Sequence, residues 1–581
     1  MEKSETGRRA LLMAAAGVAV GLGSAAAAPP QAPRQPVRTL REARSRAELA
    51  DLDSAGGAVW LAEAGREGFF VWEAGDRQAQ INADGLQGLS VAARADPAGR
   101  GGCWTRQWDG IHGRPEWFGA VPGNPERDCR PALDACAALC QTVRLSPRDY
   151  HIHDSWTMAR SGRVIAGSPG AGSTVGYGFD QRRPMGMAGG TRVILTGPKV
   201  VSQPVFVFGG GGGVRDDERI MRNSHLRDIM FARDCSRFSV RPGLSDDPES
   251  CVKGVVLNYF ADCTVTGIKS YDSPIGFHCH GIVFSLIQNC NARRVTPGSA
   301  RRRDFWVGWL VGGYGGKANY GYIGTNASVY FDHCSVFDHN PAFDLSIGMK
   351  LYGRIADTFV TGFEMARLDY GMVIDGSDER GVKMSNDGDY AAAHQDVTIT
   401  NPVLDGYSRG GFVIRNLHDF NCLDIVTPYA AGGGLSIDIT DAAGNVSISG
   451  GKLLSGGVRV TNVNGFRLTG TLIRDAAVPL ELNNVGMFRV EPNIFNLGTV
   501  AQVGCVLRRS FRGTLAPQVR GAPGKIGVGI SLDSASDHVT IDDSAIDPGI
   551  FVKPDPANKV RYGDRDARLG AGTNRLIGTA G

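Results

Sequence analysis

Acidic and basic side chains alternate at one recurring position of this 581-residue chain, and together they are suited to acid–base chemistry. Five segments begin with an equivalent apolar residue, and the positions six and seven residues later are Tyr271 and Asp272, Arg293 and Arg294, Phe337 and Asp338, Ala366 and Arg367, and Asp405 and Gly406. If the segments stack, one edge of the stack carries Asp, Arg, Asp and Arg in turn. That edge would line a groove for a charged substrate, because arginine binds carboxylates and His or Tyr can transfer protons.

Elimination from a uronate is one chemistry that fits this groove. It needs a cation that neutralises the sugar carboxylate, a base that removes the proton at C5 and a group that assists the leaving oxygen. In this hypothesis Arg294 and Arg367 hold the carboxylate, and His339 or Tyr370 takes the proton. The full set of candidate catalytic residues is Arg294, Asp338, His339, Glu364, Arg367, Asp369 and Tyr370.

Hydrolysis is the alternative chemistry, and it needs two carboxyl groups about 5 to 9 Å apart. Asp338 with Glu364 or Asp369 would form such a pair if the segments lie one or two coils apart. A structural alternative assigns these residues no chemistry. Turn residues of a solenoid are usually solvated, and opposite charges on adjacent coils often only balance each other.

Aromatic and basic residues cluster in segment 296–327 and suggest a surface for binding sugars. Exposed Trp and Tyr pack against sugar faces, and Arg pairs with carboxylates. The alternative is that the aromatic residues fill the core or form an oligomer contact. With the groove residues, the candidate substrate-binding set is Lys269, Tyr271, Asp272, Arg303, Trp306, Trp309, Tyr314, Lys317, Tyr320, Asp405, Tyr407 and Arg409.

Internal repeats indicate the elements that must position these residues. The five segments lead with Val265, Ile287, Phe331, Val360 and Ile399, and each has Gly, Asn or His two residues later. Further on, Val460, Phe466, Leu468 and Leu472 match Leu482, Phe488, Val490 and Ile494 at a constant step of 22. Short strands that repeat every 20 to 30 residues predict a right-handed parallel β-helix. The 80 glycines suit its many turns, which need left-handed backbone.

Cysteine positions give a test of this register. Cys290 and Cys334 fall in one column of the repeat, where an inward side chain belongs, so we expect both to be buried and reduced. Cys235 and Cys251 flank a polar loop and are candidates for a disulfide in an exported protein. No set of Cys and His has the spacing of a zinc site. His278 and His280 are interpreted as residues that cap a coil.

Motifs near the N-terminus resemble the pectate-lyase-like β-helix family of bacterial polysaccharide-degrading enzymes and phage tailspikes. The resemblance is carried by Phe-Phe-Val-Trp at 69–72, Trp-x-x-x-Trp at 104–108, Trp-Phe-Gly-Ala at 117–120, a helix over 130–139 and Pro-x-x-Tyr at 147–150. Family members form a strand at Trp-Phe-Gly-Ala and use the helix to cap the first coil. Here the run that follows, 121–128, is less acidic than in the family.

The resemblance implies an all-β chain, a right-handed parallel β-helix with a small N-terminal α+β cap. It also implies a site on one long sheet and its adjoining turns, a polysaccharide substrate and, as the one cofactor it suggests, Ca²⁺, although no calcium carboxylates are identifiable. The expected oligomeric state is a monomer or a homotrimer. His280-Gly281 resembles part of the polygalacturonase pattern, but the Asn-Thr-Asp and Asp-Asp elements of that family do not accompany it.

Paired arginines at Arg8 and Arg9 precede a mildly apolar run that ends near Ala28, which resembles a twin-arginine export signal. We therefore expect an exported protein with no membrane span after signal removal. Net charge is +3, from 62 basic and 59 acidic residues, which does not indicate a nucleic-acid partner. The expected organisation is signal 1–28, linker 29–40, cap 41–112, β-helix 113–553 with insertions at 296–327 and 376–395, and tail 554–581.

These observations lead to a functional hypothesis. The chain is expected to be an exported enzyme that cleaves an acidic, uronate-containing bacterial exopolysaccharide, with β-elimination as the leading mechanism. A glycoside hydrolase and an epimerase are the other enzymatic alternatives. A polysaccharide-binding or surface β-helix without catalysis is the alternative from a different class.

Overall fold

The protein is described from a computed structural model. The residues that the structure describes are 41–53, 57–169, 190–196, 203–210, 220–234, 252–271, 273–294, 305–313, 326–338, 345–353, 355–376, 396–417, 419–430, 434–533, 535–541, 545–546, 551–553 and 561–562. The proposed export signal therefore lies outside the described residues. In the described part, no helix has the length and apolar character needed to cross a membrane.

A small N-terminal module precedes the main body of the chain. Its elements are β1 (Arg41–Ala43), α1 (Arg46–Asp51), β2 (Ala58–Leu61), β3 (Gly68–Ala74), α2 (Gln78–Ala83), β4 (Ser90–Ala92) and β5 (Gly102–Arg106). Ser45 caps α1, because its side chain accepts a hydrogen bond from the Glu48 amide at 3.1 Å. The sheet has the order β1-β2-β3-β5-β4 and buries Phe70 and Trp104 in a core of its own. The predicted α+β cap is confirmed.

The main body is a solenoid of short strands. Its first coils contain β6 (His112–Gly113), a 3₁₀ helix (Pro115–Phe118), α3 (Arg130–Leu139), β7 (Thr142–Arg144), β8 (Asp149–Ile152), β9 (Trp156–Met158), β10 (Val164–Ala166), β11 (Thr191–Leu195), β12 (Phe206–Gly209), β13 (Met221–Arg222), β14 (His225–Arg227), β15 (Ile229–Arg233), β16 (Lys253–Ala261), β17 (Thr264–Thr266) and β18 (Lys269–Tyr271).

The middle coils follow without a break in strand pairing. They contain β19 (Ile275–Gln288), β20 (Asn291–Arg294), β21 (Phe305–Gly313), β22 (Asn326–Asp332), β23 (Ser335–Asp338), β24 (Leu345–Gly353), β25 (Ile355–Thr361), β26 (Glu364–Asp375), β27 (Val397–Thr400), β28 (Val403–Arg415), β29 (Phe420–Leu423) and β30 (Val426–Ala430).

The last coils complete the stack. They contain β31 (Leu435–Thr440), β32 (Ala443–Ser449), β33 (Lys452–Leu454), β34 (Val458–Arg474), β35 (Leu480–Asn496), β36 (Ala501–Arg508), β37 (Phe511–Leu515), β38 (Gln518–Gly521), β39 (Ile526–Leu532), β40 (Asp537–Ile541), β41 (Ala545–Ile546), β42 (Phe551–Lys553) and β43 (Arg561–Tyr562). Strand β43 pairs with β40, although it falls in the segment expected to be a tail.

Successive coils pair in parallel and in the predicted register. The leading residues form one unbroken ladder in which each pairs with the next, namely Val265, Ile287, Phe331, Val360 and Ile399. Each coil contributes to three parallel sheets. The second sheet contains β8, β11, β15, β18, β20, β23, the first residues of β26 and β28, and then β30 and β33. The chain is a right-handed parallel β-helix, and the predicted fold class is confirmed.

The corner between the first and second sheets explains the repeating Gly, Asn and His. These corner residues have φ values from 49° to 67° and are Gly267, Asn289, His333, Gly362 and Asn401. Glycine takes this left-handed backbone without a steric cost, and Asn is the side chain that most often tolerates it. The repeat of Gly, Asn and His in the sequence therefore follows from the turn geometry.

Two details of the sequence interpretation were wrong. The step of 22 holds for Val460 with Leu482, but Leu472 pairs with Asn493, and Ile473 pairs with Ile494. The register shifts because β34 has one extra residue after Thr469. Segment Pro115–Phe118 is a 3₁₀ helix and not a strand, since it begins with a proline and ends at Gly119, whose φ is 100°.

The cysteine test supports the register. Cys290 and Cys334 are both fully buried and reduced, and they lie on neighbouring coils, where the Cys290 carbonyl accepts a hydrogen bond from the Ser335 amide. Burial raises the pKa of the Cys334 thiol well above its ordinary value, so it remains an apolar packing group. This prediction is confirmed. Cys235 and Cys251 lie outside the described residues.

Candidate functional site

The second sheet positions the predicted groove residues. Its inward side chains form a buried column, Ser270, Ala292, Val336, Met365 and Leu404. Because strand side chains alternate, the residues on either side of this column point outward. One outward column is Lys269, Asn291, Ser335, Glu364 and Val403, and the other is Tyr271, Arg293, Phe337, Ala366 and Asp405. We call these two columns the second-sheet surface.

The second-sheet surface is closed at its N-terminal end and open at its C-terminal end. Tyr271 and Arg293 are 5% and 9% exposed, whereas Glu364 and Asp405 are exposed. The Asn291 amide donates to Ser335 Oγ at 2.6 Å and links two coils. A ligand on this surface would therefore meet buried Arg293 and half-buried Lys269 at one end and solvated carboxylates at the other.

Lys269 and Arg293 form the basic end of this surface. They project from adjacent coils, because Lys269 pairs with Asn291 and Arg293 follows two residues later. The Arg293 guanidinium lies 5.1 Å from the centre of the Phe337 ring, a cation–π contact that orients it. Neither Lys269 nor Arg293 forms an ion pair with a carboxylate among the described residues.

The environment of Lys269 favours the neutral amine, which is the form that can act as a general base. Its pKa is lowered from 10.5 because burial disfavours the charged form, and the positive charge of Arg293 lowers it further. The carboxylate of Asp228 acts in the opposite direction but does not cancel these effects. A neutral amine beside a fixed guanidinium can accept a proton while the guanidinium holds an anion.

Sequence reasoning missed Arg293 and selected Arg294 instead. Alternation was the available signal, because a small apolar residue at Ala292 points inward and so its neighbour Arg293 must point outward. The side chains of Arg294 and Asp338 are not among those described, although both residues lie in strands and pair with each other.

Asp369 lies at the corner that follows the second-sheet surface and ties three coils together. Its Oδ2 accepts hydrogen bonds from the Ser346 amide at 2.8 Å and from Ser346 Oγ at 3.4 Å. Its Oδ1 accepts from the Ser408 hydroxyl and lies 3.8 Å from Arg409 Nε. Both oxygens are therefore already engaged, which suits a fixed corner better than a freely accessible base.

The remaining corner residues differ in exposure. Arg367 is exposed at a left-handed position with φ 59°, and Glu364, three residues before it, is also exposed. Tyr370 is half-buried, and its ring covers Gly410, where an added Cβ would lie 3.1 Å from the ring. Arg367 and Glu364 are thus open to a ligand, while Tyr370 is partly occupied by packing.

Four aromatic residues expected to bind substrate are buried instead. Segment Phe305–Gly313, treated in the sequence as part of an insertion, is a strand of the solenoid, and both Trp306 and Trp309 are fully buried in the main core. Trp309 stacks on Phe277 at 3.9 Å between ring centres. The core-filling alternative is correct for both tryptophans.

Tyr271 and Tyr407 are also buried, at 5% and 2% exposure. The Tyr407 hydroxyl lies 2.7 Å from Ser436 Oγ inside the protein, so it is not available to a polymer. Burial raises the pKa of Tyr407 to about 12. For both residues the expected contact with substrate was wrong, because an aromatic side chain at a coil corner gains more by packing than by exposure.

Six candidate site residues lie outside the described residues, namely Asp272, Arg303, Tyr314, Lys317, Tyr320 and His339. The roles proposed for them, catalytic for His339 and substrate-binding for the other five, remain predictions.

His278 and His280 do not cap a coil. Both lie within β19 and are buried, and His280 packs edge-on against the Tyr259 ring at 4.8 Å. Burial lowers the pKa of His280 to about 4, and the nearby Lys253 charge adds to this effect. His280 is therefore neutral at pH 7 and adds no positive charge to the surface.

Calcium has no evident position among the described residues. No group of three or more His, Cys, Asp or Glu side chains in that part of the chain is arranged to hold a metal. Ca²⁺ takes six to eight oxygen ligands, but both Asp369 oxygens are engaged by Ser346, Ser408 and Arg409. The residues described do not fit the ion that the family resemblance suggests.

Comparison with known proteins gives only distant similarities. No protein-family model and no curated protein matches the chain. Solved structures that align with it include the A-module of mannuronan C-5 epimerase AlgE6 from Azotobacter vinelandii, at 14% identity and a TM-score of 0.41, over 75% of this chain and 99% of that one.

Two phage proteins align to a similar degree. Tailspike protein 3 of bacteriophage CBA120 has 14% identity and a TM-score of 0.44, over 81% of this chain and 61% of that one. The tailspike of the E. coli bacteriophage HK620 has 12% identity and a TM-score of 0.43, over 85% of both chains. At these values the similarities carry no argument about activity, and the fold assignment rests on the strand register of this chain.

Proposed function

We propose that this protein is an enzyme that acts on an acidic, uronate-containing polysaccharide, and that it cleaves the polymer by β-elimination on the second-sheet surface. The observation that carries the proposal is the pair of Lys269 and Arg293. These two cations project from adjacent coils, have no carboxylate partner among the described residues, and lie at the closed end of an elongated surface.

In the proposed mechanism, Arg293 binds the carboxylate of one uronate unit and withdraws charge as the C5 carbon becomes carbanion-like. The neutral amine of Lys269 takes the C5 proton, because its lowered pKa increases the fraction of free amine. The C4–O bond then breaks, a C4–C5 double bond forms, and the leaving oxygen takes a proton from solvent. Phe337 keeps the guanidinium in place throughout.

Arg367 supplies a further contact for the polymer. It lies two coils beyond Arg293, a separation of about 9.6 Å along the axis at about 4.8 Å per coil. It would therefore bind a different carboxylate of the same chain. Binding at several units along the surface would hold the scissile unit against Lys269 and reduce the entropic cost of the reaction.

Hydrolysis is a second candidate with its own supporting observation. Glu364 and Asp405 are both exposed on adjacent coils, as diagonal neighbours about 8 Å apart across the ladder. That separation matches the carboxyl pair of an inverting glycosidase, which is about 6.5 to 9.5 Å. The carboxyl pair expected from the sequence was Asp338 with Glu364 or Asp369.

The test is a depolymerisation screen over uronate-containing polymers, with absorbance of unsaturated product ends as the readout. Wild-type enzyme should generate ultraviolet-absorbing ends, and Lys269→Ala should lose most of this activity. Lys452→Ala is the matched control, because Lys452 occupies the same outward column six coils later.

Each contrary result has a defined meaning. Saturated reducing ends that disappear in Glu364→Gln and Asp405→Asn would replace elimination by hydrolysis. Inversion at C5 without cleavage would identify an epimerase that uses the same cations. Binding without any change to the polymer would leave a carbohydrate-binding β-helix.

A further inference from the structure

A concave site lies between the N-terminal module and the first coils. The cavity has a volume of about 750 Å³, within the range of about 300 to 1,000 Å³ typical of ligand sites. Trp60 lines it from the module, and Arg114, Glu116, Trp117, Arg144 and Arg148 line it from the solenoid. It is separate from the second-sheet surface, with which it shares no lining residue.

The walls of this cavity are fixed to each other. Arg66 of the module donates a hydrogen bond from Nη1 to the Trp117 carbonyl at 2.8 Å. The Arg106 guanidinium lies 4.6 Å from the centre of the Trp117 ring, and Trp108 packs edge-on against the same ring. The cavity is therefore preformed, which lowers the ordering cost of binding.

The three arginines of the cavity have no acidic partner among the described residues. Arg114, Arg144 and Arg148 are exposed, whereas the nearby Arg192 forms a two-pronged ion pair with Asp149. Arginines that are left unpaired around a concave surface favour a ligand with carboxylate groups.

Glu116 adds a hydrogen-bond acceptor to the same cavity. Its Oε1 accepts from the Tyr150 hydroxyl at 2.6 Å and from Ser146 Oγ at 2.7 Å. Its Oε2 is buried and has no hydrogen-bond partner among the described residues. Half-buried Trp60 and Trp117 offer apolar surface for the sugar ring.

We propose that this cavity is a second binding site for a carboxylate-bearing sugar of the polymer that the second-sheet surface processes. The cavity lies three coils from Lys269, about 14 Å along the axis at about 4.8 Å per coil. The count follows from one ladder of paired residues, Val143, Ile165, Leu226 and Val265. Both sites flank the corner between the first and second sheets. A single polymer chain that follows this corner would reach both. The proposal rests on the proposed function for the identity of the polymer.

The experiment is calorimetric titration of the full chain carrying Lys269→Ala, so that the ligand is not consumed, with an oligomer of a hexuronic acid. Two sites are expected. Adding Arg144→Ala and Arg148→Ala should weaken one of them at least tenfold, and 0.5 M salt should weaken it as well. Arg467→Ala with Arg512→Ala is the control, because both are exposed arginines of the last coils.

Two outcomes would overturn the proposal. One is unchanged stoichiometry and affinity in the Arg144/Arg148 variant with an unchanged melting temperature. The other is equal binding of a neutral oligosaccharide of the same length, since the arginines would then play no part. Cleavage by the enzyme with intact Lys269 tests the proposed function separately. If the protein binds the acid at the cavity but cleaves no polymer, this site is upheld and the proposed function fails.

Discussion

The middle and the last coils of the solenoid use their outward charges in different ways. In the last coils, some charged groups meet opposite partners on the neighbouring coil. Arg459 Nη2 lies 2.7 Å from Asp438 Oδ2, and Arg508 pairs with Glu481. At the start of the middle coils, Arg293, and Lys269 on the coil just before it, have no such partner among the described residues.

Under the proposed function, this difference separates charges with a structural role from charges with a catalytic role on a single scaffold. Both regions bury their inward columns equally, so their cores do not distinguish them. Charge balance between adjacent coils describes the last coils well. It does not describe half-buried Lys269 and buried Arg293, whose burial costs stability that a bound anion would offset. Under the proposed function, the outward charges and not the fold therefore distinguish the site.

The largest expected effect tests the shared core. Trp309→Ala should lower the free energy of unfolding by about 3 to 5 kcal/mol, because it removes a buried ring that stacks on Phe277. Urea denaturation measures this change. Phe284→Ala is the control, since Phe284 is 64% exposed and its loss should cost about 0.5 kcal/mol or less. A loss for Trp309→Ala as small as that of the control would reopen its role in substrate binding.

The next effect is on turnover and tests the contrast between the regions. Arg293→Ala should reduce the rate of formation of unsaturated ends about 100-fold or more, equivalent to about 2.7 kcal/mol in activation free energy. Arg474→Ala is the matched control, because Arg474 is an outward residue of a last coil and pairs with Asp475. Equal losses of turnover in both variants would show that Arg293 contributes no more to catalysis than an arginine of the last coils.

A pH profile tests the role of Lys269. Only the neutral amine accepts a proton, so turnover should rise with pH, and the midpoint of the rise should lie below 10.5 because the pKa of Lys269 is lowered. Lys269→Arg keeps the positive charge but remains protonated, so any residual activity should lose this rise. A rise that persists in Lys269→Arg would assign the base to another residue.

The sequence predicted the ladder of coils because turn chemistry is local. A corner with φ near 50° to 70° selects Gly, Asn or His, and that selection repeats with every coil. The column containing Arg293 and Asp405 followed from counting residues from such corners. The fold and the order of residues on the surface were therefore accessible without coordinates.

The orientation and burial of individual side chains were not accessible in the same way. Phe305–Gly313 has no corner signal of its own, so its strand was hidden in a segment that looked like an insertion. Trp309 was then judged by residue type alone, as an exposed aromatic. The choice between Arg293 and Arg294 depends on the same kind of information, because it requires the parity of a single strand.

A smaller effect is expected where Asp369 ties the middle coils together. Asp369→Ala would leave the Ser346 amide without its acceptor, which should cost about 1 to 3 kcal/mol. Thermal unfolding compares this variant with Asp405→Ala, whose carboxylate is exposed and should cost little. Similar stabilities for the two variants would contradict the structural role of Asp369 and return it to the candidate bases.

The smallest expected effect concerns the balanced charges of the last coils. The pKa of Arg459 is raised by its hydrogen bonds to Asp438, but the pair is partly exposed, at 44% for the Arg459 side chain. A double-mutant cycle of Arg459→Ala and Asp438→Ala should give a coupling energy of about 0.2 to 1 kcal/mol that decreases with added salt. Polymer cleavage should be unchanged in all three variants. A coupling above about 2 kcal/mol, or a loss of cleavage, would mean that paired charges in the last coils contribute more than balance, and the distinction between the two regions would fail.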